Sequence, residues 1–583
     1  MLGAAFSFGV DLSGNGYLVD PNASCGRFVA YTLVAGLALF AACEGIAAFQ
    51  ARRRPAGENG CSDAASARED GGPSGRVSAG ERGVPAGLAT PGYAPRKNSR
   101  LSILVPRFNV HDIVLFAAIM LAFWGVWMVA LYPGSMNIDT VSQIKQSYIG
   151  QYDVYIVPWI PTHSTTDAWF SDHHPFFDTL VFGAFVHAFD WTGSWNVGVY
   201  AFVLVQCCLT TAAFSAAVAY LRRAGEPLPL CLGVFLFFCL MPFYPIYGMT
   251  MLKDSLYSFI FVVYFLFLAE IVRTRGAVFE GWRRPGRARR LLVWFIVVGV
   301  LLALTKKTGV YSVLVSAVIG AIVYRRCWKA FAAQALAGGV VIWLLFPFVV
   351  FPLAHVVPGQ LQEAVGFMFQ QTARYVVDHS DEVTNDERQA IDAVLGFDDL
   401  AARYEYNDAD PVKFWYRYDT VTTGDLANYL RVWAVEGARH PETYAEATLS
   451  ICAPYLNASG VLGVHGQTGD IDETVADLVY QPAELDGLRE PLLAFYRTVV
   501  NAPGLAIFFR VGPYATWIPL LLLCYGARNR SGLPFLSVAL LVALGFCLIC
   551  PIFHSRYALP LIYTAPVALG LLFSSVGAQR RLK

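Results

Sequence analysis

Runs of apolar residues long enough to cross a lipid bilayer constrain this chain more than any other feature. About eleven occur, at roughly 28–49, 110–132, 197–221, 229–247, 255–272, 291–305, 309–324, 330–353, 505–525, 533–551 and 557–575. A bilayer offers backbone N–H and C=O groups no water, so such runs must satisfy themselves as helices. The runs at 291–305 and 309–324 are short and suit a bent pair. Hydrophobic residues make up 56% of the chain against 15% charged, which excludes a soluble multidomain enzyme. The expected fold class is therefore all-α: a polytopic membrane protein with about eleven transmembrane helices and a helical extracytoplasmic segment.

Net charge is zero, yet its distribution is uneven. Well over half of the 43 Lys and Arg fall in the segments 50–109, 222–228, 273–290, 325–329, 526–532 and 576–583. The bias of short basic loops toward the cytoplasm places these inside, with clusters such as Arg52-Arg53-Arg54 and Arg289-Arg290 as orientation signals. The N-terminus is then outside and the C-terminus in the cytoplasm, as an odd number of spans requires. No basic stretch precedes the first apolar run and no small-residue cleavage site follows it, so 28–49 is expected to be a retained helix.

This pattern divides the chain into an outer tail with an accessory helix at 1–50 and a cytoplasmic linker at 51–109. A transmembrane core follows at 110–353 with a first outer loop at 133–196, then an extracytoplasmic helical cap at 354–504 and C-terminal spans at 505–583. Residues 55–100 are rich in Gly, Pro, Ala, Ser and Arg, a composition that buries no core. Within the first outer loop, 176–190 is apolar but short and carries Asp178 and His187, which suits a helix lying along the membrane surface. In the cap, helical spacing predicts helices over Gln362 to Asp378 and Arg388 to Leu400, with Pro441, Pro454, Pro482 and Pro491 as breaks. The twelve cysteines mostly lie in spans as small hydrophobes. Cys547 and Cys550 form a C-x-x-C inside an apolar helix, and the sequence leaves open whether the outer residues Cys25 and Cys452 pair.

Five separated polar groups fall on the same expected outer face: Asp139 with Gln143, Asp172-His173-His174, Lys253-Asp254, Lys306-Lys307, and His554-Ser555-Arg556-Tyr557. Acids and imidazoles beside a bilayer are costly and mark sites. Any one lysine there is explained as a side chain snorkelling to the interface. Lys253, Lys306, Lys307 and Arg556 together are better explained by a shared anionic ligand such as a phosphate. Asp139 suits a general base, and suits equally an N-cap for a helix beginning at Val141. His173 and His174 are adjacent, so they point about 100 degrees apart on a helix and do not readily chelate one metal. No motif demands a cofactor; a divalent cation is the one left open.

Nucleotide-binding, metalloprotease, serine-hydrolase and dinucleotide fingerprints are all missing. The basic loop 273–290 is more simply an orientation and anionic-lipid signal than a nucleic-acid site. The layout resembles the GT-C superfamily of integral-membrane glycosyltransferases, and most closely a poorly characterised bacterial branch. The resemblance spans about 110–575 and rests on Tyr132-Pro133-Gly134, Asp139-Thr140, Gln143, Asp172-His173-His174-Pro175, Leu252-Lys253-Asp254-Ser255-Leu256, Gln370-Gln371-Thr372-Ala373-Arg374, Asp410-Pro411-Val412-Lys413 and Ser555-Arg556-Tyr557-Ala558-Leu559-Pro560.

The resemblance implies a multi-pass protein of a bacterial cell membrane. It implies a polyprenyl-phosphate sugar as donor, inversion at the anomeric carbon, and a glycan or protein acceptor of the cell envelope. By position, Asp139 would be the base, with Asp172, His173 and His174 in the catalytic group. Lys253, Lys306, Lys307 and Arg556 would hold the donor phosphate, with Gln143, Asp254, Gln371, Lys413 and Tyr557 binding substrate. Many relatives carry two neighbouring acids at the first site; here Asp139 stands between Ile138 and Thr140, so Asp172 becomes the candidate second acid. Two other classes fit the layout: a secondary transporter or lipid-linked glycan flippase, and a glycan polymerase or ligase using a diphosphate donor.

Overall fold

The computed structural model describes residues 21–52, 102–149, 155–157, 160–161, 169–359, 361–417, 419–463 and 475–574. Most of the linker expected at 51–109 and the basic tail beyond 574 lie outside these residues, as does the side chain of Cys25; Cys452 is a buried free thiol. The described chain is mostly helical.

Among the described residues, five helices are long and apolar enough to cross a membrane: Val110–Ala130, Asn196–Arg223, Lys253–Thr274, Arg287–Thr305 and Arg325–Leu353. Shorter apolar helices are Ala30–Ile46, Phe176–His187, Leu228–Leu240, Gly309–Val323 and Leu533–Leu548. Proline explains much of the shortening. The apolar run at 229–247 breaks at Met241-Pro242 into Leu228–Leu240 and Phe243–Gly248, and that at 505–525 divides around Pro513 into short helical pieces before Ile518–Arg528. The bent pair at 291–305 and 309–324 is a tight hairpin of Arg287–Thr305 and Gly309–Val323. Gly309 is required there, because a Cβ on it would lie 2.0 Å from the Leu302 carbonyl oxygen.

One large apolar core joins these helices, with Trp124, Phe214, Phe238, Tyr244, Phe261 and Tyr563 almost wholly buried. The helix Val110–Ala130 shows no one-sided polarity, and many of its outward side chains are apolar and exposed, including Val110, Val114, Phe123 and Val129. A surface of that kind is matched to hydrocarbon rather than water.

The cap expected at 354–504 has two parts. Its first helices, Gln362–His379, Asn385–Leu395 and Thr423–Arg439, enclose a separate core of Phe369, Ile391, Val394, Leu400, Val412 and Tyr429. Pro441–Leu456 and Asp486–Val500 instead send Cys452, Tyr455, Leu493 and Tyr496 into the main core. The helix expected over Arg388 to Leu400 starts earlier and stops sooner. Thr384 and Glu387 form a capping box at its start, and Gly396, at φ 71°, ends it. Pro441 opens a helix, but Pro454 and Pro491 lie inside helices rather than breaking them.

Among the described residues, three two-stranded ladders tie the loops. Ser135–Met136 runs parallel to Thr250–Met251, and Phe170–Ser171 runs parallel to Val356–Val357. Tyr155–Val157 pairs antiparallel with Ile160–Pro161.

Candidate functional site

The two parallel ladders decide which polar residues meet. Because Ser135 pairs with Thr250 and Met136 with Met251, the chains leave the ladder side by side and deliver Asp139 beside Lys253. Thr140 Oγ1 donates to the Met251 carbonyl at 2.8 Å, and Gln206 Nε2 donates to the Gly248 and Thr250 carbonyls, fixing both loops. The second ladder does the same for Asp172, whose N–H donates to the Val357 carbonyl. Gln146 Oε1 accepts from the Ser171 N–H at 2.8 Å and joins the two arrangements.

Asn137 and not Asp139 caps the helix Ile138–Ser147: its side-chain oxygen accepts from the Thr140 N–H. The helix therefore starts at Ile138 rather than Val141, and Asp139 sits in the first turn with its carboxylate free for other partners. That carboxylate is 16% exposed and meets three groups. Lys253 Nζ lies 3.3 Å away, Arg556 Nη1 3.1 Å and His174 Nε2 3.8 Å. Burial opposes its charge, but Lys253 and Arg556 outweigh burial and hold Asp139 well below the usual carboxylate range.

Lys253 Nζ also lies 2.7 Å from His174 Nδ1. An ammonium only donates, so Nδ1 accepts and the imidazole proton is assigned to Nε2, facing Asp139. Burial, with Lys253 beside it, keeps His174 far below its ordinary value and hence neutral. Burial also pushes His173 down to about 4. The two rings lie 4.5 Å apart, edge to face, and His173 Nδ1 is buried without a hydrogen-bond partner among the described residues.

Arg556 is held from behind. Tyr455 OH donates to the His554 carbonyl and accepts from the His554 N–H, and Ser555 Oγ lies 2.8 Å from Tyr247 OH. The guanidinium lies over the Tyr557 ring, and its Nε and Nη1 make no aligned hydrogen bond among the described residues. A buried guanidinium with N–H groups to spare is built to receive an anion.

The remaining sequence candidates divide. Lys306 Nζ is 2.5 Å from the wholly buried Asp254 and sits over the rings of Tyr257 and Tyr557. Lys307 Nζ is 3.1 Å from Asp172, whose other carboxylate oxygen accepts from the Phe176 N–H; burial raises Asp172 despite that lysine. Lys306 and Lys307 are thus paired with Asp254 and Asp172, while Lys253 and Arg556 share Asp139. Gln143 Nε2 donates to Thr179 Oγ1 and positions the helix Phe176–His187. Lys413 is buried between Glu363 and Asp410, and this charge cluster acts on His173 from the cap side. Gln371 is not brought to the site: it donates to Thr448 Oγ1 and accepts from Trp433 Nε1 inside the cap.

Sequence reasoning missed two members. Asp178 is fully buried with both carboxylate oxygens unpartnered among the described residues, in the field of Lys253, Asp254 and Asp172. Its one signal was an acid in an apolar run. Glu363, which faces Lys413 and His173, carried no signal beyond a helix's first turn.

No curated protein and no solved structure is matched by the chain. Residues 12–581 match a family model that covers nearly the whole sequence, both ladders and every residue of the site included. The chain belongs to the DUF6020 family, a family of unknown function.

Proposed function

We propose that this protein is a membrane glycosyltransferase of GT-C type, with about eleven spans, that moves a sugar from a polyprenyl-phosphate donor to a cell-envelope acceptor on the outer face of a bacterial membrane. The observation that carries this reading is the convergence of Lys253 and Arg556 on Asp139 at one end of the apolar helices. A carboxylate and a cation pair with spare N–H groups are the two elements that displacement of a phosphate requires.

The acceptor hydroxyl attacks the anomeric carbon, the bond from that carbon to the phosphate oxygen breaks, and the hydroxyl proton passes to Asp139. The phosphate leaves with its electron pair and its charge is held by Lys253 and Arg556. In the free protein those cations neutralise Asp139 and make it a weak base. An incoming donor phosphate draws them away, so donor binding itself raises the basicity of the carboxylate. Neutral His174 stands 3.8 Å from Asp139 only as a neighbour, held in place by Lys253. Asp172, pushed up by burial, is a second proton carrier at the margin of the site.

The test is transfer by the purified full-length chain in lipid nanodiscs, with labelled sugars on polyprenyl monophosphate and, separately, on diphosphate. Release of polyprenyl phosphate that depends on Asp139 and Arg556 supports the reading. Consumption of the diphosphate donor alone reassigns the protein as a polymerase or ligase. Solute flux in proteoliposomes with neither donor consumed removes the enzyme reading altogether.

A further inference from the structure

A second constellation lies in the cap, away from Asp139. The C-terminal end of the helix Gln362–His379 meets the start of Pro441–Leu456, with Glu382 on the turn that leads from the first of these to Asn385–Leu395. The rings of His379 and His440 stack with centroids 3.8 Å apart. Both turn one nitrogen toward the same carboxylate: His379 Nδ1 is 3.6 Å from Glu382 Oε1, and His440 Nε2 is 3.1 Å from Glu382 Oε2. One ligand atom from each of the three residues lies within 4.8 Å of the others.

What distinguishes this group from a surface charge cluster is the state of the other ring nitrogens. His379 Nε2 lies 3.1 Å from Thr443 Oγ1, and His440 Nδ1 lies 3.0 Å from Glu442 Oε1. Each imidazole is therefore gripped on its far side, while on the near side His440 Nε2 donates to Glu382 Oε2, a proton that an entering cation would displace. Metal-binding histidines are oriented in this way, with a carboxylate or hydroxyl holding the ring nitrogen that does not coordinate. The neighbouring cation does not compete, because Arg439 is turned to Glu387 and the Tyr375 hydroxyl.

We propose that His379, Glu382 and His440 form a binding site for a divalent transition-metal cation, with zinc the best chemical match. Two imidazole nitrogens and one carboxylate oxygen are a zinc donor set, whereas magnesium and calcium require mostly oxygen. Three protein ligands leave a fourth tetrahedral position to solvent, and the side chains of His379 and Glu382 are 22% and 43% exposed, so the ion can enter from the cap surface. Bound there, it clips the ends of two cap helices together. The site is independent of the transferase reading.

The experiment titrates the tag-free, chelator-treated full-length protein with zinc chloride and measures metal content and affinity. Wild type is expected to bind one zinc that His440→Ala and Glu382→Gln weaken at least a hundredfold, magnesium not competing. Glu442→Gln and Thr443→Ala keep all three ligands; each is expected to cost about tenfold to a hundredfold in affinity. Zinc binding that is equal in all five proteins, or none in wild type, overturns the proposal.

Discussion

Arg556 Nη1 stands 3.1 Å from the Asp139 carboxylate, so the segment before the last apolar helix closes an ion pair with the loop region that follows Val110–Ala130. The pair lies almost out of water, with side-chain exposures of 9% and 16%. Its consequence is that Asp139 competes with any incoming anion for the same cations. Asp139→Asn should lower transfer by a factor on the order of a hundred to ten thousand while tightening donor binding by roughly tenfold, the worth of one charge-assisted hydrogen bond. Arg556→Gln should weaken donor binding instead. Donor affinity measured beside turnover checks both; weaker donor binding in Asp139→Asn would show that the carboxylate holds substrate rather than competing with it.

Lys306 and Asp254 form the most deeply buried ion pair near the site, at 2.5 Å with Asp254 wholly enclosed. Removing one partner leaves an uncompensated charge, so Lys306→Met should destabilise the protein by about 3–5 kcal/mol. The double variant Lys306→Met/Asp254→Leu removes both charges and should recover most of that loss. Thermal unfolding of the detergent-solubilised protein, followed by the loss of its monodisperse peak, compares the three.

His173 gives a pH signature. Its imidazole sits at about 4 in the folded protein because burial disfavours the charged form, against about 6.5 when unfolded. Between these values the unfolded chain binds a proton that the folded chain refuses, so stability falls as pH drops from about 6.5 to 4, by on the order of 1 kcal/mol per pH unit. Buried His174 acts in the same direction. His173→Gln should flatten, though not abolish, this dependence. Melting temperatures at pH 7 and pH 5 decide it: an unchanged difference between wild type and variant rules out a buried neutral imidazole at 173.

Arg374 is fully buried in the cap, with Nε 2.5 Å from Asp378 and Nη2 2.6 Å from Glu446. It also donates to the Tyr404 hydroxyl. Arg374→Ala should cost about 3–5 kcal/mol by stranding two carboxylates. Arg374→Lys should rescue little, because an ammonium cannot reach three partners in the guanidinium's fork geometry. Limited proteolysis of the cap in the intact protein reports the loss.

The primary sequence determined the helical class, the apolar spans and the clustering of acids, imidazoles and lysines into a few short motifs, because hydrocarbon tolerates only self-satisfied backbone and makes every polar exception conspicuous. It also located the hairpin at Lys306-Lys307. Tertiary structure alone decided which of these groups meet. The parallel ladder of Ser135–Met136 with Thr250–Met251 sets Asp139 against Lys253, and pairing between distant two-residue strands leaves no periodic trace in a sequence. The division of labour among cations was likewise invisible: Lys306 and Lys307 face internal acids while Lys253 and Arg556 share Asp139. Gln371 and Asp178 exchanged expected importance for the same reason. Whether a polar side chain faces a site or a neighbour within its own fold depends on packing between segments, which composition and local spacing do not encode.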